Sequence, residues 1–62
     1  MKWFELKKKL KLAGFSYYRS GKGSHVIWRN DSTGGTIVVC NHDSQEVGTG
    51  LANKLLKKAG LK

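Results

Sequence analysis

The sequence of 62 residues contains a single cysteine, Cys40, and therefore cannot form an intramolecular disulfide. Secreted domains of this size commonly depend on disulfides, because so short a chain buries only a modest core. We therefore expect the protein to remain in the reducing cytoplasm. No continuous apolar run has the length of a membrane span or of a signal-peptide core, so we expect no association with a membrane by either route.

Acidic residues are scarce. Four Asp and Glu stand against twelve Lys and Arg, which gives a formal net charge of +8. A field of this sign attracts polyanions and accelerates their encounter with the protein. Nucleic acid is therefore the first partner to consider and an anionic membrane surface the second. The alternative is a basic surface that serves only solubility, although solubility does not require so one-sided a charge.

The two ends of the chain show helical periodicity. In residues 2–13, apolar side chains recur at spacings of three and four, at Trp3, Leu6, Leu10 and Ala13. Gly14 suits the end of this first helix, because glycine readily adopts the left-handed conformation found there. Residues 51–59 repeat the pattern and Gly60 follows them. Thr49 is the expected N-cap of this second helix.

Between the helices, the periodicity changes to that of β-strands. Three segments rich in aromatic and β-branched residues are predicted to be strands, at residues 15–20, 24–29 and 36–40. Turn-forming residues at 21–23 and 30–35 separate them, so neighbouring strands should form antiparallel hairpins. The aromatic residues are expected mostly in the core, with one tyrosine of an adjacent pair facing outward to stack on a base: Trp3, Phe4, Phe15, Tyr17 and Tyr18.

The element order α-β-β-β-α predicts an α+β fold with a three-stranded antiparallel sheet. Both helices should cover the same face of the sheet, because neither apolar helix stripe could otherwise be buried. Residues 1–62 are expected to form one domain, since this length leaves no room for a second.

The predicted second strand separates two sets of side chains. Alternation places Trp28 on the helix-covered face and His25 on the opposite face, where a ligand can reach it. If the second hairpin pairs Arg29 with Thr36, Cys40 lies opposite His25. His42 then follows at the same end of the sheet.

The strongest local motif is Gly21-Lys22-Gly23-Ser24-His25. It is not a phosphate-binding P-loop, because the glycine spacing differs and a strand rather than a helix follows. It does offer flexible backbone N–H groups, the Lys22 ammonium and the Ser24 hydroxyl around one imidazole. These groups suit a phosphate beside a general acid or base. A single histidine would otherwise be more simply interpreted as an ordinary surface or core residue.

Histidine at this place suits the cleavage of RNA. Its unperturbed pKa of about 6.5 allows it to accept and donate a proton near neutral pH. Removal of the 2′-hydroxyl proton lets that oxygen attack the adjacent phosphate, which expels the 5′-oxygen and leaves a cyclic phosphate. Lysines stabilise the negative charge that develops, and no metal or other cofactor is required.

Three lysines of the second helix are candidate phosphate ligands: Lys54, Lys57 and Lys58. They could equally serve only to solvate their helix, and the sequence favours neither interpretation.

Other combinations of reactive residues are weaker. Cys40 with His25 and His42 lacks the ligand spacing of a zinc site, and nothing indicates an activated thiol for a Cys-His pair. A triad of Ser24, His25 and an aspartate is equally unsupported, because the available aspartates are predicted to lie in loops. We therefore predict no metal site, and His42 is retained only as a possible auxiliary group.

Several segments in this order resemble HicA-type toxins. They are Ala13-Gly14-Phe15, Arg19, Gly23-Ser24-His25, Gly35-Thr36-Ile37-Val38-Val39 and Leu55-Leu56-Lys57-Lys58-Ala59-Gly60-Leu61. The resemblance covers nearly the whole chain. It implies a fold like that of the double-stranded-RNA-binding domain, ribosome-independent cleavage of mRNA, a catalytic histidine at His25 and an antitoxin of the HicB type.

The sequence therefore predicts a small endoribonuclease toxin that cleaves mRNA, but not DNA, and is neutralised by a HicB-type antitoxin. Lys22, Ser24 and the lysines of the second helix are predicted to bind RNA, with His25 as the catalytic residue. One alternative is a non-catalytic module that recognises the shape of double-stranded RNA. The other is an interaction protein whose basic surface serves only an acidic partner.

Overall fold

A computed structural model describes residues 1–61. Its elements, in chain order, are helix α1 (Trp3–Leu12), strands β1 (Phe15–Ser20), β2 (His25–Asn30) and β3 (Thr36–Cys40), and helix α2 (Thr49–Lys58). The α+β class and the element order confirm the prediction. The described helices are too short and too polar to cross a membrane.

The three strands form one antiparallel sheet in the order β1-β2-β3, with β2 in the centre. The predicted register of the second hairpin is confirmed, because Arg29 pairs with Thr36 and His25 pairs with Cys40. The first hairpin contains an irregularity that the sequence did not predict. Its register shifts by one residue between Tyr17 and Arg19, as in a β-bulge.

One hydrophobic core lies between the sheet and the two helices. Its buried side chains are Trp3, Leu6 and Leu10 of α1, Phe15, Trp28, Ile37 and Val39 of the sheet, and Val47, Ala52, Leu55 and Leu56 of the last loop and α2. Because the buried residues of paired strands share one face, both helices cover that face, as predicted. Trp28 is buried and His25 is exposed, which confirms the expected alternation in β2.

The helix ends confirm one prediction and correct another. Gly14 follows α1 with a φ of +102°, and Gly60 follows α2 with a φ of +77°, as expected of glycines that end helices. Thr49 is not the cap of α2. The helix begins at Thr49 itself, and Gly48 occupies the N-cap without a capping side chain. Glycine is among the residues preferred at N-caps, where the backbone is not yet helical.

Asn30 is a buried polar residue that the sequence placed in a turn. Its Nδ2 donates a hydrogen bond to the carbonyl oxygen of Ala13 at 3.1 Å, and its Oδ1 accepts one from the N–H of Ser32 at 2.9 Å. Burial is tolerated because both polar atoms have partners. Asn30 thereby joins the end of α1 to the turn between β2 and β3.

Three of the five aromatic residues expected mostly in the core are exposed. Phe4 follows the buried Trp3 on α1 and so lies on a different side of the helix. Tyr17 and Tyr18 are both exposed, although Tyr17 pairs with the buried Trp28, and the register shift follows Tyr17. The guanidinium carbon of Arg29 lies 5.7 Å from the centre of the Tyr18 ring.

Candidate active site

His25 is the first residue of β2, and the preceding turn fixes its backbone. The N–H of His25 donates to the carbonyl oxygen of Lys22 at 3.0 Å, and the N–H of Gly21 donates to the carbonyl oxygen of His25 at 2.9 Å. The residue as a whole is nevertheless exposed. The turn therefore holds an imidazole at a defined place where a ligand can reach it.

The turn leaves little room for a side chain at Gly21. A Cβ atom there would lie 3.2 Å from the carbonyl oxygen of His25, closer than ordinary van der Waals contact. Lys22 is exposed in the turn, and Ser24 is half-buried directly before the strand. The two predicted phosphate ligands of the motif thus lie within three residues of His25.

The loop after β3 begins beside the same turn. The N–H of Asn41 donates to the carbonyl oxygen of Ser24 at 2.7 Å, which extends the pairing of His25 with Cys40 by one residue. The exposed His42 comes next. The loop that carries His42 therefore begins at the end of the sheet where His25 lies. Within residues 1–61, no three His, Cys, Asp or Glu residues form a group that could hold a metal ion.

A cavity of about 170 Å³ lies beside His25. Residues of both helices and of β3 line it together with the histidine: Trp3, Val38, Val39, Cys40 and Leu51. The residues around His25 therefore do not all belong to the uncovered face of the sheet. They extend to the edge formed by β3, where the helices contribute apolar side chains.

The lysines of α2 fall into two groups. Lys54 and Lys58, one helical turn apart, line a second cavity of about 200 Å³ beside Val38 of β3. Lys57 is exposed but does not line this cavity. The sequence-based prediction treated the three lysines alike, because helical periodicity alone does not show which of them face the sheet edge.

A model of the family described as HicA toxin of bacterial toxin-antitoxin matches residues 3–61. The chain belongs to the HicA toxin family. A relative from Pseudomonas fluorescens (strain Pf0-1), named "Probable mRNA interferase HicA", is 36% identical over 62 residues, which cover all of this chain and 98% of the relative. No solved structure matches the chain significantly.

Membership of the HicA toxin family gives the chain the role of a toxin in a toxin–antitoxin pair. The matched stretch includes the turn with Lys22 and Ser24, the exposed His25 and the lysines of α2. All the residues selected from the sequence therefore lie within the matched residues 3–61.

The HicA-family toxin also has a basic cavity on α1 that was not predicted from the sequence. Phe4, Lys7, Lys8 and Lys11 line it together with Trp28 and Asp43, and its volume is about 320 Å³. The ammonium groups of Lys7 and Lys11 lie 5.9 and 5.8 Å from the centre of the Trp28 ring. Lys7 also forms an ion pair with Asp43, which fastens the last loop to α1. The four α1 residues are spaced three and four apart, and this spacing indicates that they share one face of the helix.

Proposed function

We propose that this HicA-family toxin is an endoribonuclease that cleaves mRNA with His25 as its catalytic residue and without a metal. The observation that carries the proposal is the exposed His25, held by the turn hydrogen bonds at Gly21 and Lys22 beside an open cavity. The net charge of +8 supports a polyanionic substrate. The name of the Pseudomonas relative, which is that of an mRNA interferase, supports mRNA as the substrate class.

His25 would act as the general base. Its imidazole takes the proton of a 2′-hydroxyl, the freed oxygen forms a bond to the adjacent phosphorus, and the bond to the 5′-oxygen breaks. The leaving 5′-oxygen takes up a proton, and the upstream product ends in a 2′,3′-cyclic phosphate. The step consumes no water, oxidant or metal-bound hydroxide.

The Lys22 ammonium and the Ser24 hydroxyl are the proposed phosphate ligands next to His25, because both belong to the turn that positions it. Lysines of α2 are the proposed contacts with more distant phosphates, and Lys54 and Lys58 have the better support because they share a cavity. Positive charge placed before the reaction stabilises the extra negative charge of the transition state.

His42 is proposed as the auxiliary group that returns a proton to the leaving oxygen. The hydrogen bond between Asn41 and Ser24 supports this role, because it brings the two histidine-bearing segments together. If the role is correct, His42→Ala should slow cleavage, because a positioned proton donor to the leaving oxygen contributes to the rate.

The test is cleavage of an unstructured RNA by the purified toxin in excess chelator. We expect cleavage to persist and the upstream products to carry 2′,3′-cyclic phosphate ends. The matched controls are DNA of the same sequence and RNA methylated at the 2′-oxygen beside the cut, and neither should be cleaved. Cleavage that requires Mg²⁺ would indicate metal-assisted hydrolysis instead. RNA binding without fragments would support the alternative of a non-catalytic double-stranded-RNA-binding module.

The antitoxin is proposed to be of the HicB type and acidic. A toxin of net charge +8 with an exposed active site is complementary to such a partner. Coverage of His25 would be sufficient for inhibition, because the catalytic imidazole would then be inaccessible to RNA.

A further inference from the structure

The cavity beside His25 and the cavity beside Lys54 are neighbours. Val38 of β3 and Leu51 of α2 line both of them. Together the two cavities form one groove between the edge of the sheet and α2, which we name the β3 groove. It runs from His25 and Cys40 at one end to Lys54 and Lys58 at the other.

The β3 groove combines an apolar middle with a basic end. Val38 is 51% exposed and Leu51 is 44% exposed, so both present apolar surface to solvent. Lys54 and Lys58 are four residues apart in α2, about 6 Å along the axis. Among the described residues that line the groove, none is acidic.

We propose that the β3 groove binds the single-stranded RNA around the cleavage site. The nucleobase next to the cleaved phosphate enters the cavity between His25 and Leu51, and neighbouring phosphates bind Lys54 and Lys58. This inference rests on the proposed ribonuclease function and adds a base-binding pocket to it.

The chemistry of the groove favours RNA as its occupant. In-line attack by a 2′-oxygen requires a nucleotide released from helical stacking, and its base must then find another apolar contact. The cavity beside His25 supplies that contact, and the two lysines match a polyanion. A protein strand could pair with the edge strand β3, but it would not explain why the apolar surface joins the histidine to the lysines.

Cys40 is a natural probe of occupancy of the groove, because it is half-buried and lines the cavity beside His25. The experiment measures the rate at which N-ethylmaleimide alkylates Cys40 in the His25→Ala protein, with and without a short unstructured RNA. We expect saturating RNA to slow alkylation several-fold. Inorganic polyphosphate is the matched control, because it can bind the lysines but has no base to enter the cavity, and it should leave the rate nearly unchanged.

Two sets of variants test the contacts themselves. Leu51→Ala removes apolar surface from an exposed helix position, so the fold should survive, and we expect RNA binding to weaken by about tenfold. Lys58→Gln and Lys57→Gln remove the same charge from adjacent positions, and only Lys58 lines the groove. We expect the larger loss of affinity for Lys58→Gln. Equal losses, or a normal affinity of Leu51→Ala, would contradict the proposal.

The possible results distinguish a failure of the groove proposal from a failure of the proposed ribonuclease function. If the native toxin cleaves RNA but bound RNA does not slow alkylation of Cys40, the groove is not the substrate site and the ribonuclease assignment stands. If the native toxin cleaves no RNA, the proposed function is wrong whatever binds in the groove. Protection of Cys40 by a protein partner but not by RNA would also overturn the proposal.

Discussion

His25 combines a fixed backbone with an exposed side chain. The turn that begins at Gly21 holds its N–H and its carbonyl group in hydrogen bonds, and these bonds use no atom of the imidazole. A substitution at this position therefore removes the reactive group while the backbone hydrogen bonds remain possible. This separation makes His25 the residue at which chemistry and folding are most easily distinguished.

Replacement of His25 by Ala should abolish most activity without unfolding the protein. We expect cleavage to slow by a factor on the order of a hundred or more, as for the loss of a positioned acid–base group. The free energy of unfolding should change by no more than about 0.5 kcal/mol, because the residue is exposed and outside the buried core. Single-turnover cleavage and urea unfolding measure the two effects. An unfolded variant would show that His25 is structural, and an unchanged rate would exclude it from catalysis.

Asn30 illustrates the opposite case, a polar residue whose role is structural. Asn30→Ala leaves the carbonyl oxygen of Ala13 and the N–H of Ser32 without their side-chain partners. We expect a loss of about 1–3 kcal/mol in the free energy of unfolding, because the affected groups are partly buried. Asn41→Ala is the control, since Asn41 is exposed and its backbone makes the hydrogen bond to Ser24. Similar losses from both variants would contradict this role of Asn30.

At the scale of elements, periodicity predicted most of the fold. Helical spacing located both helices, and turn residues together with alternation located the strands. The pairing of His25 with Cys40 depended on an assumed pairing of Arg29 with Thr36, which the structure contains. The register shift beside Tyr18 was not predictable, because a bulge depends on contacts between strands rather than on local composition. The burial of Asn30 was missed for a similar reason, since its partners lie in other segments.

The candidate site was predicted only in part. His25 and the basic helix could be selected from the sequence, because both are visible in short motifs. The cavity beside His25 was missed, since residues from α1, β3 and α2 meet there only after folding. The β3 groove likewise depends on which side of α2 faces the sheet edge, which separates Lys58 from Lys57.

Helix α2 begins with an intrinsic weakness that can be tested. Gly50 lies in its first turn, and a Cβ atom there would meet no other atom within 4 Å. Gly50→Ala should therefore raise the free energy of unfolding by about 0.5 kcal/mol through reduced backbone entropy of the unfolded chain. Gly14→Ala is the matched comparison, because its φ of +102° and the nearby Asn30 side chain should make the same change destabilising. Thermal unfolding of both variants measures the difference. Equal effects of the two changes would contradict this explanation.

At the scale of the whole molecule, we expect the net charge of +8 to govern association with RNA. Binding of RNA by the His25→Ala protein should weaken steeply as salt increases, because each lysine that neutralises a phosphate releases counterions. The logarithm of the affinity should fall with the logarithm of salt concentration by about 0.7 for each phosphate contact on a single strand. Titrations across a range of salt concentrations measure this slope. A flat response would exclude electrostatic binding as the main source of affinity.

The same charge should make the toxin dependent on its partner in the cell. Expression of the toxin alone should arrest growth, and co-expression of a HicB-type acidic protein should restore it. The His25→Ala variant is the control, because it should permit growth without the partner while still forming the complex. Growth arrest by His25→Ala would show that toxicity does not arise from cleavage at this residue.

The shared core has a further consequence during protein synthesis. Leu55 and Leu56 of α2 pack in the same cluster as Trp3 and Leu6 of α1, so the first helix lacks part of its packing until residue 56 has been translated. Domains generally fold as units, and the chain should therefore complete its fold only after the last helix has left the ribosome. A premature stop codon anywhere before α2 should consequently yield an inactive polypeptide. Mutants that escape the toxin should thus carry such stop codons throughout the codons for residues 1–48 rather than only near the codon for His25.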